Sequence, residues 1–359
     1  MKKLRAGIIG ATGMVGRRFA ALLAAHEWFE PVLLAASPRS AGKTYEEAVG
    51  ARWAGIGAMP QKLKDMKLAD ASDVKGIASE VDFIFCAVNM KASEAGALEE
   101  SYARAECPVI SNNSAHRSTP DVPMIIPELN AHHAGVIDCQ RKRLGVKRGF
   151  IAAKSNCSIQ SFVPMLYALD RRFRLKNALA CTYQAVSGAG RTLEDFGEIH
   201  DNIIPYISGE EEKSETEPQK IWGRIENGII VPSDTPRFSA RCARVPVSNG
   251  HLAAVYASFE IKPTLEEVTK TWSAYGGIPQ RLTLPSAPER FIHCFSEPDR
   301  PQPRLDRDVE HGMAVCAGGL KYDSQYDISF MGLSHNTLRG AAGGAVLLAE
   351  LLCALGYIG

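Results

Sequence analysis

The sequence has no apolar stretch near the roughly 18 to 20 residues that a membrane-spanning helix needs, so no membrane partner is expected. It also has no CxxC pair among its nine cysteines, which argues against a zinc site, and no metal is expected. The odd number and wide scatter of those cysteines argue against a disulfide framework, leaving most as small buried thiols. An excess of one charge is missing too: 41 Lys and Arg stand against 40 Asp and Glu, a net charge of +1, with no basic run. Such a chain carries no electrostatic footprint for nucleic acid. The start, MKKLRAGIIG, lacks the long apolar region and cleavage site of a signal peptide. The expectation is a cytoplasmic protein.

What is present is the composition of an ordinary globular protein. With 359 residues, 45% hydrophobic and 23% charged, the chain has room for about two domains. LRAGII reads as a buried strand, GATGMVG as a glycine turn, and the following stretch as a helix with Val15, Phe19, Leu22 and Leu23 on one face. Further strands are expected at Pro31 to Ser37, Asp82 to Val88 and Pro108 to Ser111, with a helix from Lys91 to Ala105. This alternation is that of a doubly wound parallel sheet.

After Phe150 the pattern changes. A helix is expected around Ile159 to Phe173, then long β-prone runs, LACTYQAVS and ARVPVSNGHLAAVYASFEI, that suggest a mixed or antiparallel sheet. ISGEEEKSETEPQK between them reads as a solvated loop or helix surface, and the Pro-rich segment from Glu297 to Arg307 as irregular. NTLRGAAGGAVLLAELLCALG is a strong helix signal with Asn336 as its expected cap, and it should pack back on the first half.

Gly10, Gly13 and Gly16 sit between the first strand and its helix, in the turn Gly10, Ala11, Thr12, Gly13, Met14, Val15 and Gly16. Glycines there let the backbone approach a pyrophosphate, and the helix start favours the anion. The plainer reading is a tight turn alone. Where an NAD site would place a carboxylate after the second strand, this chain has Ser37, Arg39, Ser40 and Lys43. Hydroxyls and cations suit the 2′-phosphate of NADP, although a solvated surface turn would look the same.

Of the cysteines, Cys157 in KSNCSIQSF alone follows an extended run and opens a helix, where unpaired N–H groups would stabilise a thiolate and a developing oxyanion. Among nine histidines His251, preceded by a glycine at the mouth of a strand and seven residues after Arg244, is the foremost partner, with a structural histidine as the other reading. Histidines 26, 132, 133, 200, 293 and 311 read as surface or structural.

Taken together, GATGMVG, ASPRSAGK, NNSAHR, SNCSIQ, YQAVSGAG, ETEPQK, RVPVSNGH and HNTLRGAAGG resemble the aspartate-semialdehyde dehydrogenase family, and its archaeal and fungal branch most closely. The likeness runs over essentially the whole chain. It implies a Rossmann-type α/β domain over residues 1–153, completed by a C-terminal helix within 336–359, and an α+β catalytic and dimerisation domain over 154–335. It implies reversible NADP-dependent reductive dephosphorylation of L-4-aspartyl phosphate to L-aspartate 4-semialdehyde, through a cysteine thioester, on the route to diaminopimelate, lysine, methionine and threonine.

By the same resemblance Cys157 is the nucleophile and His251 the acid/base, with Asn156 and Gln184 at the substrate and Arg244 on its carboxylate. Glu217 matches the acid on the substrate amino group, and Arg117 and Lys220 the phosphate ligands. Asn336 would touch the nicotinamide amide, or else only cap its helix. A homodimer or homotetramer is implied. A malonyl-CoA reductase or an N-acetyl-γ-glutamyl-phosphate reductase would share Cys157, His251 and the glycine turn. A non-catalytic nucleotide-binding relative would have no need to keep Cys157 and His251 together.

Overall fold

The computed structural model describes residues 2–53 and 56–359. In the first half seven strands form one sheet: β1 (Leu4–Ile9), β2 (Phe29–Ala36), β3 (Ala69–Asp70), β4 (Phe83–Cys86), β5 (Val109–Ser111), β6 (Met124–Ile125) and β7 (Ile151–Lys154). Every pairing is parallel, in the order β3-β2-β1-β4-β5-β7-β6. Helices cover both faces, which is why β4 and β5 are apolar runs buried throughout rather than alternating. Phe19 of the helix Met14–Ala24 stacks on Phe85 at 4.6 Å and fixes that helix to the sheet. Val15 and Leu22, expected on the same inward face, are only half-buried, and Ala20 and Leu23 complete it.

The terminal helix Ala342–Ala354 is apolar on nearly its whole circumference and shares a core with Phe19, Leu23 and Phe85. Its one carboxylate, Glu350, is fully buried and accepts from His26 Nε2 at 2.7 Å and from the Ser286 backbone N–H at 3.0 Å. The last residues of the chain therefore complete the first layer. Asn336, expected as this helix's cap, is not: the helix starts six residues later, and the Asn336 side chain instead accepts from the Gly250 N–H at 2.8 Å and donates to Ser187 Oγ at 2.8 Å.

The second half adds β8 (Leu175–Gln184), a short hairpin of β9 (Arg224–Glu226) and β10 (Ile229–Val231), then β11 (Arg237–Arg244), β12 (His251–Phe259), β13 (Ile292–Cys294), β14 (Val315–Tyr322) and β15 (Ile328–Ser334). Six of these form a mixed sheet in the order β11-β8-β12-β15-β14-β13. In β12 buried and half-buried residues alternate, with Ala253, Val255 and Ala257 inward. The helices Val163–Phe173 and Leu265–Ala274 cover that inner face, joined by a hydrogen bond from Trp272 Nε1 to the Met165 carbonyl at 2.9 Å.

The acidic segment departs from expectation. Residues Glu210–Ile221 form a helix with Ser214, Glu217, Pro218, Lys220 and Ile221 buried, so it is a packed element and not a solvated surface. Three glutamates in its first turn suit the positive end of the helix dipole.

Sheet register brings the site together. β8 and β11 run parallel, with Gln184 opposite Arg244 at their ends. β12 runs back from His251 beside β8, and β7 ends at Lys154, three residues before Cys157.

Candidate active site

Cys157 lies at the junction of the two halves. Its Sγ stands 3.5 Å from Nε2 of His251, and both residues are packed under the backbone of Gly340 and Gly188 respectively. A Cβ on Gly340 would meet Cys157 Cβ at 2.8 Å, and one on Gly188 would meet His251 Cε1 at 3.0 Å and Arg244 Nη1 at 2.7 Å. The absent side chains at these two positions keep the chamber open.

The expected free helix start is not what surrounds the sulfur. Cys157 precedes a single turn of 3₁₀-helix, Ser158–Ser161, and the first N–H of that turn, on Ser158, is already taken by Asn156 Oδ1 at 2.7 Å. Burial, followed by the Glu210 carboxylate, pushes the Cys157 thiol up, while Lys154, Arg117 and Arg244 act the other way. His251 is fully buried, and burial followed by Arg244 brings its imidazole down to about 3.

The remaining substrate residues divide into two groups. Around the sulfur, Gln184 Nε2 donates to Glu210 Oε2 at 3.3 Å, and Asn156 Nδ2 donates to both Glu210 oxygens at 3.1 Å. Arg244 is buried and held by a bond from Nη1 to the Ala185 carbonyl at 2.8 Å. Lys213 pairs with Glu210 Oε1 at 2.9 Å and is partly exposed. Two turns on from Glu210, Glu217 accepts from Arg117 Nη1 at 2.9 Å and from the Asn156 backbone N–H at 2.6 Å. Arg117 Nε and the neighbouring Asn112 Oδ1 are buried without a protein partner, the condition of groups that await a polar ligand.

Lys220 is placed differently from its expected role. Its ammonium donates to the carbonyls of Arg117, Thr119 and Val122 at 2.7, 2.7 and 2.8 Å, which uses all three of its protons. It holds the Arg117 loop in place and has no donor left for phosphate. Sequence reasoning also passed over Glu210 and Lys213, although they repeat the same Glu-x-x-Lys spacing one heptad earlier.

At the other end of the cleft, Gly10 has φ of +88° and its Cβ would lie 2.5 Å from the Ala87 carbonyl oxygen, while a Cβ on Gly16 would lie 2.2 Å from the Gly10 carbonyl oxygen. The turn Gly10 to Gly16 is thus compact, and no described side chain caps the helix it opens. Those free N–H groups and the bare backbone fit a pyrophosphate. Beyond β2 the Ser37 carbonyl closes a turn with the N–H of Ser40 at 2.9 Å, leaving Arg39 and Lys43 exposed. A cleft of about 640 Å³ runs from Met14 and Arg17 to Ser187, Asn249 and Thr337. A larger hollow of about 990 Å³, between β12, β14 and the helix Leu265–Ala274, contains none of these residues.

A half-buried cysteine against a buried histidine, in a chain that also carries a dinucleotide turn, is the equipment of an aldehyde-forming or aldehyde-oxidising dehydrogenase. Family models agree on that class: residues 5–136 match the NAD-binding domain of semialdehyde dehydrogenase and residues 166–339 its dimerisation domain. The aspartate-semialdehyde dehydrogenase of Aspergillus fumigatus is 41% identical over 99% of both chains, and that of Methanothermobacter thermautotrophicus is 40% identical over 96% of this chain and 98% of its own. The Candida albicans enzyme, solved with NADP, superposes with a TM-score of 0.89 at 38% identity, covering 99% of this chain and all of its own. The chain belongs to the aspartate-semialdehyde dehydrogenase family.

Proposed function

We propose that this protein interconverts L-4-aspartyl phosphate and L-aspartate 4-semialdehyde with NADP(H), through a thioester on Cys157. The carrying observation is the Cys157–His251 contact of 3.5 Å within a chamber that also holds one buried arginine and one carboxylate.

In the biosynthetic direction the Cys157 sulfur attacks the acyl phosphate and phosphate leaves toward Arg117, whose Nε, like Asn112 Oδ1, has no protein partner. Lys213, rather than Lys220, is the cation still able to meet that phosphate. Arg244 takes the substrate carboxylate, and Glu210, braced by Asn156 and Gln184, takes its ammonium. NADPH, bound along the glycine turn with its 2′-phosphate toward Ser37, Arg39, Ser40 and Lys43, supplies hydride to the acyl carbon. His251 Nε2 stands where it can hydrogen-bond the oxygen of the thioester and of the thiohemiacetal that collapses to aldehyde. Asn336 fixes the Ser187 and Gly250 loops around that histidine.

The same reading divides the chain into a cofactor domain of 1–153 completed by 336–359, supported by the core the terminal helix shares with Phe19, and a catalytic and dimerisation domain of 154–335. It gives a homodimer or homotetramer, supported by the half-exposed outer row of β12, Leu252, Ala254 and Tyr256. Nine unpaired thiols support a cytoplasmic location. No helix among the described residues is long and apolar enough to cross a membrane.

The test is NADP reduction by the purified protein with aspartate semialdehyde. The rate should require inorganic phosphate and vanish in Cys157→Ala. A requirement for coenzyme A instead would assign the chain to acyl-CoA chemistry, and activity surviving the substitution would remove the thioester.

A further inference from the structure

The loop that carries Arg117 is held at both ends by buried groups of opposite charge. At its far end Lys220 spends its ammonium on the carbonyls of Arg117, Thr119 and Val122. At its start stands Glu99, a fully buried carboxylate in the middle of the helix Ala92–Arg104. A carboxylate buried to that extent must be met by donors. Both of its described hydrogen bonds come from the loop: Ser111 Oγ donates to Oε1 at 2.6 Å, and Asn113 Nδ2 donates to the same oxygen at 2.7 Å.

Those two residues bracket Asn112. The Asn112 N–H donates to the Cys86 carbonyl at 2.8 Å, and Asn113 Nδ2 also reaches Cys86 Sγ at 3.4 Å, so the loop is fixed to the end of β4 as well. The Asn113 N–H in turn donates to Ser111 Oγ at 3.1 Å. What this bracing leaves free is a pair of buried atoms without a protein partner, Asn112 Oδ1 and Arg117 Nε. Arg117 Nη2 turns back to the Asn112 carbonyl at 3.4 Å, so the backbone that Glu99 holds is also the backbone on which the guanidinium rests.

Glu99 has no second task. Its other oxygen, Oε2, is buried without a hydrogen bond, and His116 Nε2, 4.0 Å from it, donates instead to the Gly96 carbonyl at 3.1 Å. Because both bonds from the loop end on Oε1, the single oxygen of a glutamine amide could accept the two together.

We propose that Glu99 is a positioning residue for the phosphate half of the reaction: by holding Ser111 and Asn113 it aims Asn112 and Arg117 at the anion. The proposal rests on Arg117 receiving phosphate, and a variant of that arginine tells the two failures apart.

The experiment is steady-state kinetics in the oxidative direction, with inorganic phosphate and aspartate semialdehyde varied in turn at saturating NADP. Glu99→Leu removes the acceptor at similar size and is expected to raise the KM for phosphate about tenfold, the value of the lost hydrogen bonds. The KM for aspartate semialdehyde should change less than about twofold, since Arg244 and Gln184 are held by Ala185 and Glu210 and not by this loop. Glu99→Gln, with one oxygen for both donors, is expected to restore the phosphate KM to within about threefold of the wild type. Should Glu99→Leu not fold, Ser111→Ala takes its place and is expected to raise the same KM several-fold.

A folded Glu99→Leu, or Ser111→Ala in its stead, with the phosphate KM of the wild type overturns the proposal. So does a Glu99→Gln no better than Glu99→Leu, or a rise shared equally by both substrates, the mark of a merely structural effect. If Arg117→Leu raises the phosphate KM where Glu99→Leu does not, the positioning role alone has failed. If Arg117→Leu leaves it unchanged, the phosphate reading fails and takes the proposal with it.

Discussion

Glu210 and Glu217 stand two turns apart on one helix and both bind Asn156, Glu210 through the side-chain Nδ2 and Glu217 through the backbone N–H. The first opens onto the sulfur and the second backs Arg117. Glu210→Gln should therefore raise KM for aspartate semialdehyde by roughly 10 to 100-fold, the value of a charged hydrogen bond, with little change in melting temperature. Glu217→Gln should act mainly on stability, because it strands the Arg117 guanidinium. Steady-state kinetics and thermal unfolding on the two variants separate these effects.

The two lysines on that helix are predicted to part in the same way. Lys220→Met leaves three backbone carbonyls without their donor and should cost about 3 kcal/mol of stability, read from urea unfolding. Lys213→Ala should keep stability and raise KM for phosphate in the oxidative direction.

At the cofactor end, Gly16→Ala would place a methyl 2.2 Å from the Gly10 carbonyl oxygen, which is backbone and cannot swing aside. It should weaken NADPH and NADH binding alike and destabilise the fold by about 1 to 3 kcal/mol. Replacing both Arg39 and Lys43 with alanine should weaken NADPH about tenfold or more and leave NADH binding unchanged, measured by fluorescence titration.

Three buried histidines predict acid sensitivity. Burial lowers His251 to about 3, and His133 and His335 each to about 4, from an ordinary value of 6.5. Below that ordinary value the unfolded chain binds protons that the folded protein does not, so stability is full above about pH 6.5 and falls toward pH 4. At pH 5 each contributes a loss of about 1 to 2 kcal/mol. The urea midpoint should drop between pH 6.5 and pH 5, and His133→Gln should flatten that drop. A midpoint independent of pH in this range would mean the rings are protonated in the folded state.

The alternation of strands and helices, the glycine turn, the mixed second sheet and the apolar terminal helix were legible because each rests on local periodicity or on residues with few conformational roles. The sequence also singles out Cys157, His251, Arg244 and Gln184 as candidates because their motifs are short and continuous; in the structure the last three stand at strand ends and Cys157 three residues beyond one. The Glu-x-x-Lys pairs were not separable. Positions 210 and 213 differ from 217 and 220 by seven residues, two helical turns, so both pairs share one face and no spacing distinguishes them. Only the approach of Asn156, Arg117 and the 117–122 carbonyls decides which carboxylate and which cation remain available.

Protonation was out of reach of the sequence for the same reason. The scarcity of CxxC pairs and of any charge excess limited this chain to reduced thiols and to recognition by a few placed side chains. The order of its motifs further determined the fold and singled out one cysteine. Which nitrogen of His251 faces the sulfur depends on the Ala185 N–H just beyond β8, and the room around both residues on the glycines at 188 and 340. Those groups are distant in the chain, and folding alone brings the sulfur, the ring and that N–H together, at 3.5 and 3.0 Å.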